Sequence, residues 1–249
     1  MAETTVGLLH PGEMGAAIGG ALHDVGVRVL WASDGRSETT TKRAGEAGLE
    51  DVVDPAELSQ LSDVIVSVCP PHAATDVAKS VAEFEGIYVD ANAISPATAR
   101  MIPARRLVDG GIIGPPPHGS GTTRLYLSGR EAQPVAELFA GTTVDARVLS
   151  SEVGDASALK MTYAAWTKGT AALLLAIRAT AEAEGVGDAL TEEWRLSLPE
   201  LPETLERARR SADAKGWRWV GEMEEIAATF AADGLPDGFH LAAAEMFRR

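Results

Sequence analysis

Val6-Gly7-Leu8-Leu9-His10-Pro11-Gly12-Glu13-Met14-Gly15 is the stretch on which the reading of this 249-residue chain turns. A short apolar run leads into a turn holding two glycines, and a helix-forming pattern over residues 14–25 follows. A second apolar run, residues 27–31, ends about twenty residues after the turn. A strand–turn–helix–strand unit of this kind brings backbone N–H groups and a helix N-terminus to a dinucleotide's pyrophosphate. In such a unit Gly12 lets the backbone approach the phosphates, and Gly15 lets the helix pack closely on the strand. The position usually held by the first glycine is His10, so the strict glycine pattern is broken, and position in the chain carries the argument.

The pattern continues outward. Residues 27–31 and 64–68 are short, apolar and rich in valine and isoleucine, as strands covered on both faces are. Shorter candidates lie at 87–90, 111–113 and 125–128, and a second helix is expected at 37–48. This alternation predicts an α/β fold with an open, doubly wound parallel sheet. From residue 157 the texture becomes all helical. Residues 157–184 contain no proline and only Gly169, and predict one helix of about 28 residues, some 40 Å long. Its centre, residues 171–177, is apolar on every side, which calls for burial on every side. A homodimer is therefore expected. Residues 197–202 hold two prolines and separate this helix from three shorter ones expected at 203–214, 217–232 and 238–248.

Composition narrows the function. Hydrophobic residues make up 45% and charged residues 23%, which is ordinary globular usage. The net charge of −14 argues against nucleic acid and anionic membranes as partners. One cysteine, Cys69, excludes an internal disulfide. The five histidines show no metal-ligand spacing, so no metal is expected. The N-terminal residues lack a basic patch ahead of an apolar run, so a cytoplasmic location is expected.

The end of the second strand speaks to the cofactor. An NAD site usually places an acid there for the ribose 2′-hydroxyl. Ala32 stands at that point, followed by Ser33, Arg36 and Ser37, two hydroxyls and a guanidinium suited to a 2′-phosphate. NADP is expected over NAD, with Asp34 turned to solvent.

Three further segments carry a family resemblance. Residues 61–71, which include Val68, Cys69 and Pro70, resemble the fourth-strand signature of the β-hydroxyacid dehydrogenases. That family includes 3-hydroxyisobutyrate and 6-phosphogluconate dehydrogenases, and imine reductases are relatives. Asp90-Ala91-Asn92-Ala93-Ile94-Ser95-Pro96 resembles the family's substrate-contacting D-x-S-T-x-x-P. Gly154-Asp155-Ala156-Ser157-Ala158-Leu159-Lys160 resembles the segment that opens its long interdomain helix. The second half most resembles a phosphogluconate-dehydrogenase-like C-terminal domain of unassigned substrate. The resemblance implies an N-terminal Rossmann domain over residues 1–153 that binds NADP, and a smaller all-α substrate and dimerisation domain over 154–249. His10, Pro11, Gly12, Glu13, Met14, Gly15, Ser33, Arg36, Ser37, Val68, Cys69, Pro70 and Asn92 are its cofactor-binding candidates. Asn92, Ala93, Gly114, Pro115, Lys160 and Ala164 are its substrate candidates.

Departures from the family pattern bear on the substrate. Asn92-Ala93 replaces a Ser-Thr pair, so a hydroxyl is lost. Ile113-Gly114-Pro115, followed by Pro116 and Pro117, stands where the family has Ser-Gly-Gly, so the backbone donors of residues 115–117 are missing. Ala164 stands where an asparagine is expected. The implied activity is hydride transfer between a nicotinamide and a small hydroxyacid or related carbonyl, with Lys160, Tyr163 and Asn92 as catalytic candidates. A lysine desolvated beside a cofactor has its pKa lowered toward the working pH. Residues 160, 163, 164, 167 and 168 share one helix face, which is expected to present Lys160, Tyr163, Thr167 and Lys168 to one cleft. The alternatives are an imine-reductase-like enzyme and a non-catalytic NADP-binding dimer.

The other groups have plainer readings. Cys69 reads as a small buried hydrophobe, His118 and His240 as solvent-facing. Trp217, Trp219 and Met223 read as core packing, and Arg207, Arg209, Arg210, Lys215 and Arg218 as a solvated helix face.

Overall fold

Alternation of apolar residues builds the first half of the chain, shown in a computed structural model that describes residues 4–117, 119 and 121–249. β1 (Thr5–Leu9), β2 (Arg28–Trp31), β4 (Val64–Ser67) and β5 (Ile87–Asp90) send successive side chains to opposite faces. Val6, Leu8, Val29, Trp31, Val64, Val66, Ile87 and Val89 join one apolar cluster. Leu9, Leu30, Ile65 and Tyr88 join a second on the other face. Both faces are buried, which is why these strands read as unbroken apolar runs.

β3 (Glu50–Asp51), β6 (Leu107–Ile113), β7 (Thr123–Ser128) and β8 (Val144–Ser150) complete an eight-stranded sheet of order β3-β2-β1-β4-β5-β6-β7-β8. Neighbouring strands run parallel except β6 and β7. This pair departs from the expected all-parallel sheet. Residues 114–122 are too short a link to hold a crossover helix, so the chain turns back as a hairpin. α1 (Glu13–His23), α2 (Glu38–Glu46), α3 (Pro55–Leu61), α4 (Ala74–Lys79), α5 (Pro96–Arg100) and α6 (Ala132–Leu138) make the connections. Ser37, Asp54 and Ser95 cap α2, α3 and α5 by accepting from backbone N–H groups two or three residues on. β1 lies between β2 and β4, so strand order reverses there. The C-terminal ends of β1 and β4 therefore flank the crevice where open α/β sheets take their ligands.

Two compact units divide at Lys160/Met161. α7 (Asp155–Ala183) begins in the first and continues into the second, which also holds α8 (Gly187–Ser197), α9 (Leu201–Ala232) and α10 (Gly238–Arg248). α7 has 29 residues, close to the expected length. α9 is one helix of 32 residues, where two were expected with a break near Gly216. A helical glycine costs only about 1 kcal/mol relative to alanine. Gly216 is buried against Phe247 of α10, and Trp219 meets the same ring edge-on at 5.0 Å. That packing outweighs the glycine. α8 and β8 have no counterpart in the sequence reading. Among the described residues no helix is long and apolar enough to cross a membrane.

Candidate functional site

His10 takes a left-handed backbone, φ 65°, at the end of β1. That conformation is what the missing glycine would have supplied. The turn closes with Gly12 N–H donating to the His10 carbonyl at 2.7 Å. A Cβ on Gly15 would lie 2.7 Å from the same carbonyl and 3.5 Å from the Val68 side chain, so only glycine lets α1 start this close to β1 and β4. Gly12 has open space beside it, with Pro11 buried, Glu13 exposed and Met14 packed on the core below. No side chain caps the N-terminus of α1.

Across the turn lies the loop after β2. Ala32 is buried and Asp34 is exposed, as expected. Ser33 N–H donates to an Asp51 carboxylate oxygen at 3.2 Å, and the same oxygen accepts from Val53 N–H at 2.8 Å. Asp51 was missed in the sequence because its strand, β3, is only two residues long. Ser37 Oγ accepts from Thr40 N–H as the cap of α2. Arg36 is half-buried, and its Nε has no hydrogen-bond partner. His10 Nδ1 is likewise buried without a partner. Burial first, and the Arg36 charge second, lower the His10 pKa to about 4.

Asn92 ties β4 to β5. Its Oδ1 accepts from Cys69 N–H at 2.5 Å, and its Nδ2 donates to Asp90 Oδ2 at 2.9 Å and to Ser67 Oγ at 3.2 Å. Both amide protons are thus used within the fold. Burial pushes the Cys69 thiol up to about 12, so it stays protonated; the side chain is half-buried against the core rather than fully buried as expected. Asp90 is fully buried, and burial raises its pKa to about 7. Ala93 is half-buried beside Asn92.

A residue not singled out in the sequence organises the start of α7. Asp109 of β6 is fully buried. Its Oδ2 accepts from Gly154 N–H (3.0 Å), Ser157 N–H (2.9 Å) and Ser128 Oγ (3.1 Å), and its Oδ1 accepts from Ser157 Oγ (2.6 Å). A carboxylate at the first turn also suits the positive end of the helix dipole. Its signal in the sequence is an acid inside an otherwise apolar strand. Two turns of packing follow: a Cβ on Gly111 would lie 2.7 Å from the Ala156 carbonyl and 3.1 Å from Lys160 Cβ.

Lys160 emerges from this contact. Its Nζ donates to the Ile112 carbonyl at 2.7 Å, and among the described residues no carboxylate pairs with it. Burial lowers its pKa to about 8. Gly114, φ 123°, and Pro115 form the start of the β6–β7 turn, where the Pro115 carbonyl accepts from Thr123 Oγ1.

The face expected along α7 is not uniform. Tyr163 is exposed, Ala164 is buried, and Thr167 bonds back to the carbonyls of Tyr163 and Ala164. Lys168 is not open to a ligand as expected: it pairs with Glu222 of α9, with its ammonium 6.0 Å from the centre of the Trp219 ring. His240 is also corrected, being buried in α10 against Phe230. His118 lies outside the described residues. Met223 is core, whereas Trp217 is exposed beneath the Arg218 guanidinium. Among the described residues no cluster suited to a metal occurs.

Comparison with known proteins finds relatives in sequence and in fold. Residues 181–249 match the domain of unknown function DUF1932. An uncharacterized 28.5 kDa protein in the 7S RNA 5′ region of Methanothermus fervidus is 34% identical over 194 residues, 75% of this chain and 74% of that protein. A conserved protein of unknown function, described as structurally similar to 3-hydroxyacid dehydrogenases, superposes with a TM-score of 0.73 at 28% identity, covering 98% of this chain and 96% of that one. The 3-hydroxyisobutyrate dehydrogenase of Salmonella typhimurium shares the fold, with a TM-score of 0.74 at 16% identity over 98% of this chain and 93% of its own. Identical at one residue in three to the Methanothermus fervidus protein over three quarters of its length, the chain belongs to the β-hydroxyacid dehydrogenase-like family, with DUF1932 as its C-terminal domain.

Proposed function

We propose that this protein is an NADP-dependent oxidoreductase that moves a hydride between the nicotinamide and a small hydroxyacid or related carbonyl compound. The observation that carries the reading is Lys160: a part-buried ammonium with no carboxylate partner among the described residues, its pKa lowered to about 8, one hydrogen bond from the carbonyl of Ile112. An ammonium withdrawn from water without a counter-charge is costly to keep, and a proton donor poised near neutral pH is what alcohol–carbonyl interconversion requires.

The residues at the switch point fit a dinucleotide. Gly15 and Gly12 leave room at the N-terminus of α1 for the pyrophosphate. Arg36, with an unpartnered Nε, and Ser37, at the N-terminus of α2, suit a 2′-phosphate. The cofactor, when bound, supplies or accepts the hydride. In reduction, Lys160 hydrogen-bonds the carbonyl oxygen, offsets the negative charge growing on it and gives it a proton. In oxidation, neutral Lys160 takes the hydroxyl proton. Asn92 holds Cys69 and the end of β4 in register and keeps one Oδ1 lone pair for a ligand. The loss of polar groups at Ala93, Pro115 and Ala164 argues for a substrate with fewer hydrogen-bonding groups than the short hydroxyacids of the family.

Cofactor oxidation and reduction measured against a panel of hydroxyacids, ketoacids and imines tests the reading. Turnover with an oxygen compound is the expected result. Turnover confined to imines, or none with any compound, would overturn it.

A further inference from the structure

His10 and Arg36 present a pair of unsatisfied buried groups in one place. The guanidinium charge lowers the pKa of His10 and also bears on the Cys69 thiol. β1 and β2 are paired neighbours with Leu8 beside Trp31, so His10 and the loop that carries Arg36 leave the sheet side by side, next to the switch point. Arg36 Nε and His10 Nδ1 are both buried without a partner among the described residues, so they are not bonded to each other. Buried polar atoms are rarely left in that state, and each unmet one costs free energy. The imidazole is neutral at physiological pH and can present Nδ1–H; Arg36 can only donate. Two donors, one of them charged, call for an oxygen acceptor that carries negative charge.

The backbone adds a second argument. His10 holds φ 65°, a conformation that glycine adopts freely, asparagine and aspartate at times, and most side chains avoid. Glycine would meet the turn without strain. A side chain kept there against strain and without a hydrogen bond of its own has no account within the fold.

We propose that His10 is a cofactor-binding residue: its imidazole, together with the Arg36 guanidinium, takes one phosphate group of the dinucleotide, from the position where the usual turn offers only a glycine. This rests on the dinucleotide reading above. The phosphate is either the pyrophosphate or the 2′-phosphate, and the two are separable.

The test is binding, read by NADPH fluorescence and by competition with ADP-ribose and 2′-phospho-ADP-ribose. His10→Gly suits the left-handed backbone, so its melting temperature should be no lower than that of the parent. NADPH should nevertheless bind about ten-fold more weakly, the loss expected for one hydrogen bond to a charged group. His10→Asn also tolerates the left-handed backbone and keeps an N–H donor; it should stay within about three-fold of the parent, well inside that loss. Equal weakening of both competitors in His10→Gly assigns the pyrophosphate. Weakening of the 2′-phosphorylated one alone assigns the 2′-phosphate. NADPH binding by His10→Gly as tight as the parent's overturns the inference and leaves the cofactor reading standing, as does an Asn variant as weak as Gly. No binding of any nicotinamide dinucleotide by the parent overturns both.

Discussion

Lys160 Nζ and the Ile112 carbonyl oxygen lie 2.7 Å apart, a bond that joins the second turn of α7 to β6. The bond exists because Gly111, the next residue back along β6, has no side chain where Lys160 Cβ passes. It leaves the ammonium partly desolvated, in contact with a carbonyl and, among the described residues, with no carboxylate.

Lys160→Met keeps the length of the side chain and removes its proton. Turnover should fall by about 100-fold or more, the usual cost of losing a proton-transfer group. NADPH affinity should change little. With the parent, reduction needs protonated Lys160 and should decline as pH rises through about 8; oxidation needs the neutral form and should increase over the same range. Steady-state rates against pH in both directions check this. A loss within three-fold, far short of the effect expected of a general acid, would make the lysine structural and leave Tyr163 as the leading donor.

Asp109→Ala should destabilise the chain by about 3 kcal/mol or more, since it strands the N–H groups of Gly154 and Ser157 and two hydroxyls in the interior. Denaturant unfolding measures the loss. Activity should fall as well where the variant still folds, because the first turn of α7 that carries Lys160 loses its anchor.

Arg36→Ala should weaken NADP binding much more than NAD binding, because the guanidinium is suited to the 2′-phosphate and Ala32 offers the ribose no acid. Parallel titrations with the two cofactors decide it. Equal weakening, or tighter binding of NAD by the parent, counts against NADP.

Burial holds the Asp90 pKa near 7, above its ordinary 3.8. Between those values the folded chain keeps a proton that the unfolded chain has lost. Stability should therefore decrease as pH rises from about 4 to about 7 on this residue's account. Asp90→Asn should flatten that part of the profile in thermal unfolding at a series of pH values. A slope unchanged by the substitution would assign it to another group.

On α7, Trp166, Leu173 and Ile177 lie exposed at spacings of seven and four, while Ala172 and Leu174 are buried. Within one chain the all-round apolar segment is covered on one side only. We expect the other side to meet a second copy. Sedimentation should give a dimer, and Leu173→Glu should shift it toward monomer at micromolar concentration; a parent that sediments as a 26 kDa monomer would exclude it.

The strands β1, β2, β4 and β5 were legible because burial on both faces leaves a local trace, an unbroken apolar run. The turn at Gly12 and Gly15 and the long helix after Gly154 were legible for a similar reason: backbone geometry restricts which residues fit. The sequence by itself therefore determined the α/β class, the dinucleotide-type turn and the helical second half. What it left open depended on residues distant in the chain. Asp109 is 48 positions from Ser157, and no local pattern announces that a buried carboxylate will anchor a helix. Lys168 looked like a neighbour of Lys160 by helical spacing, yet Glu222, 54 positions on, claims it. α9 runs through Gly216 because packing against Phe247 exceeds a propensity cost of about 1 kcal/mol. Desolvation at Lys160, Asp90 and His10 likewise comes from atoms that only the tertiary structure gathers. Periodicity and backbone restriction are encoded locally; burial, charge pairing and pKa follow from what the folded chain places beside each group.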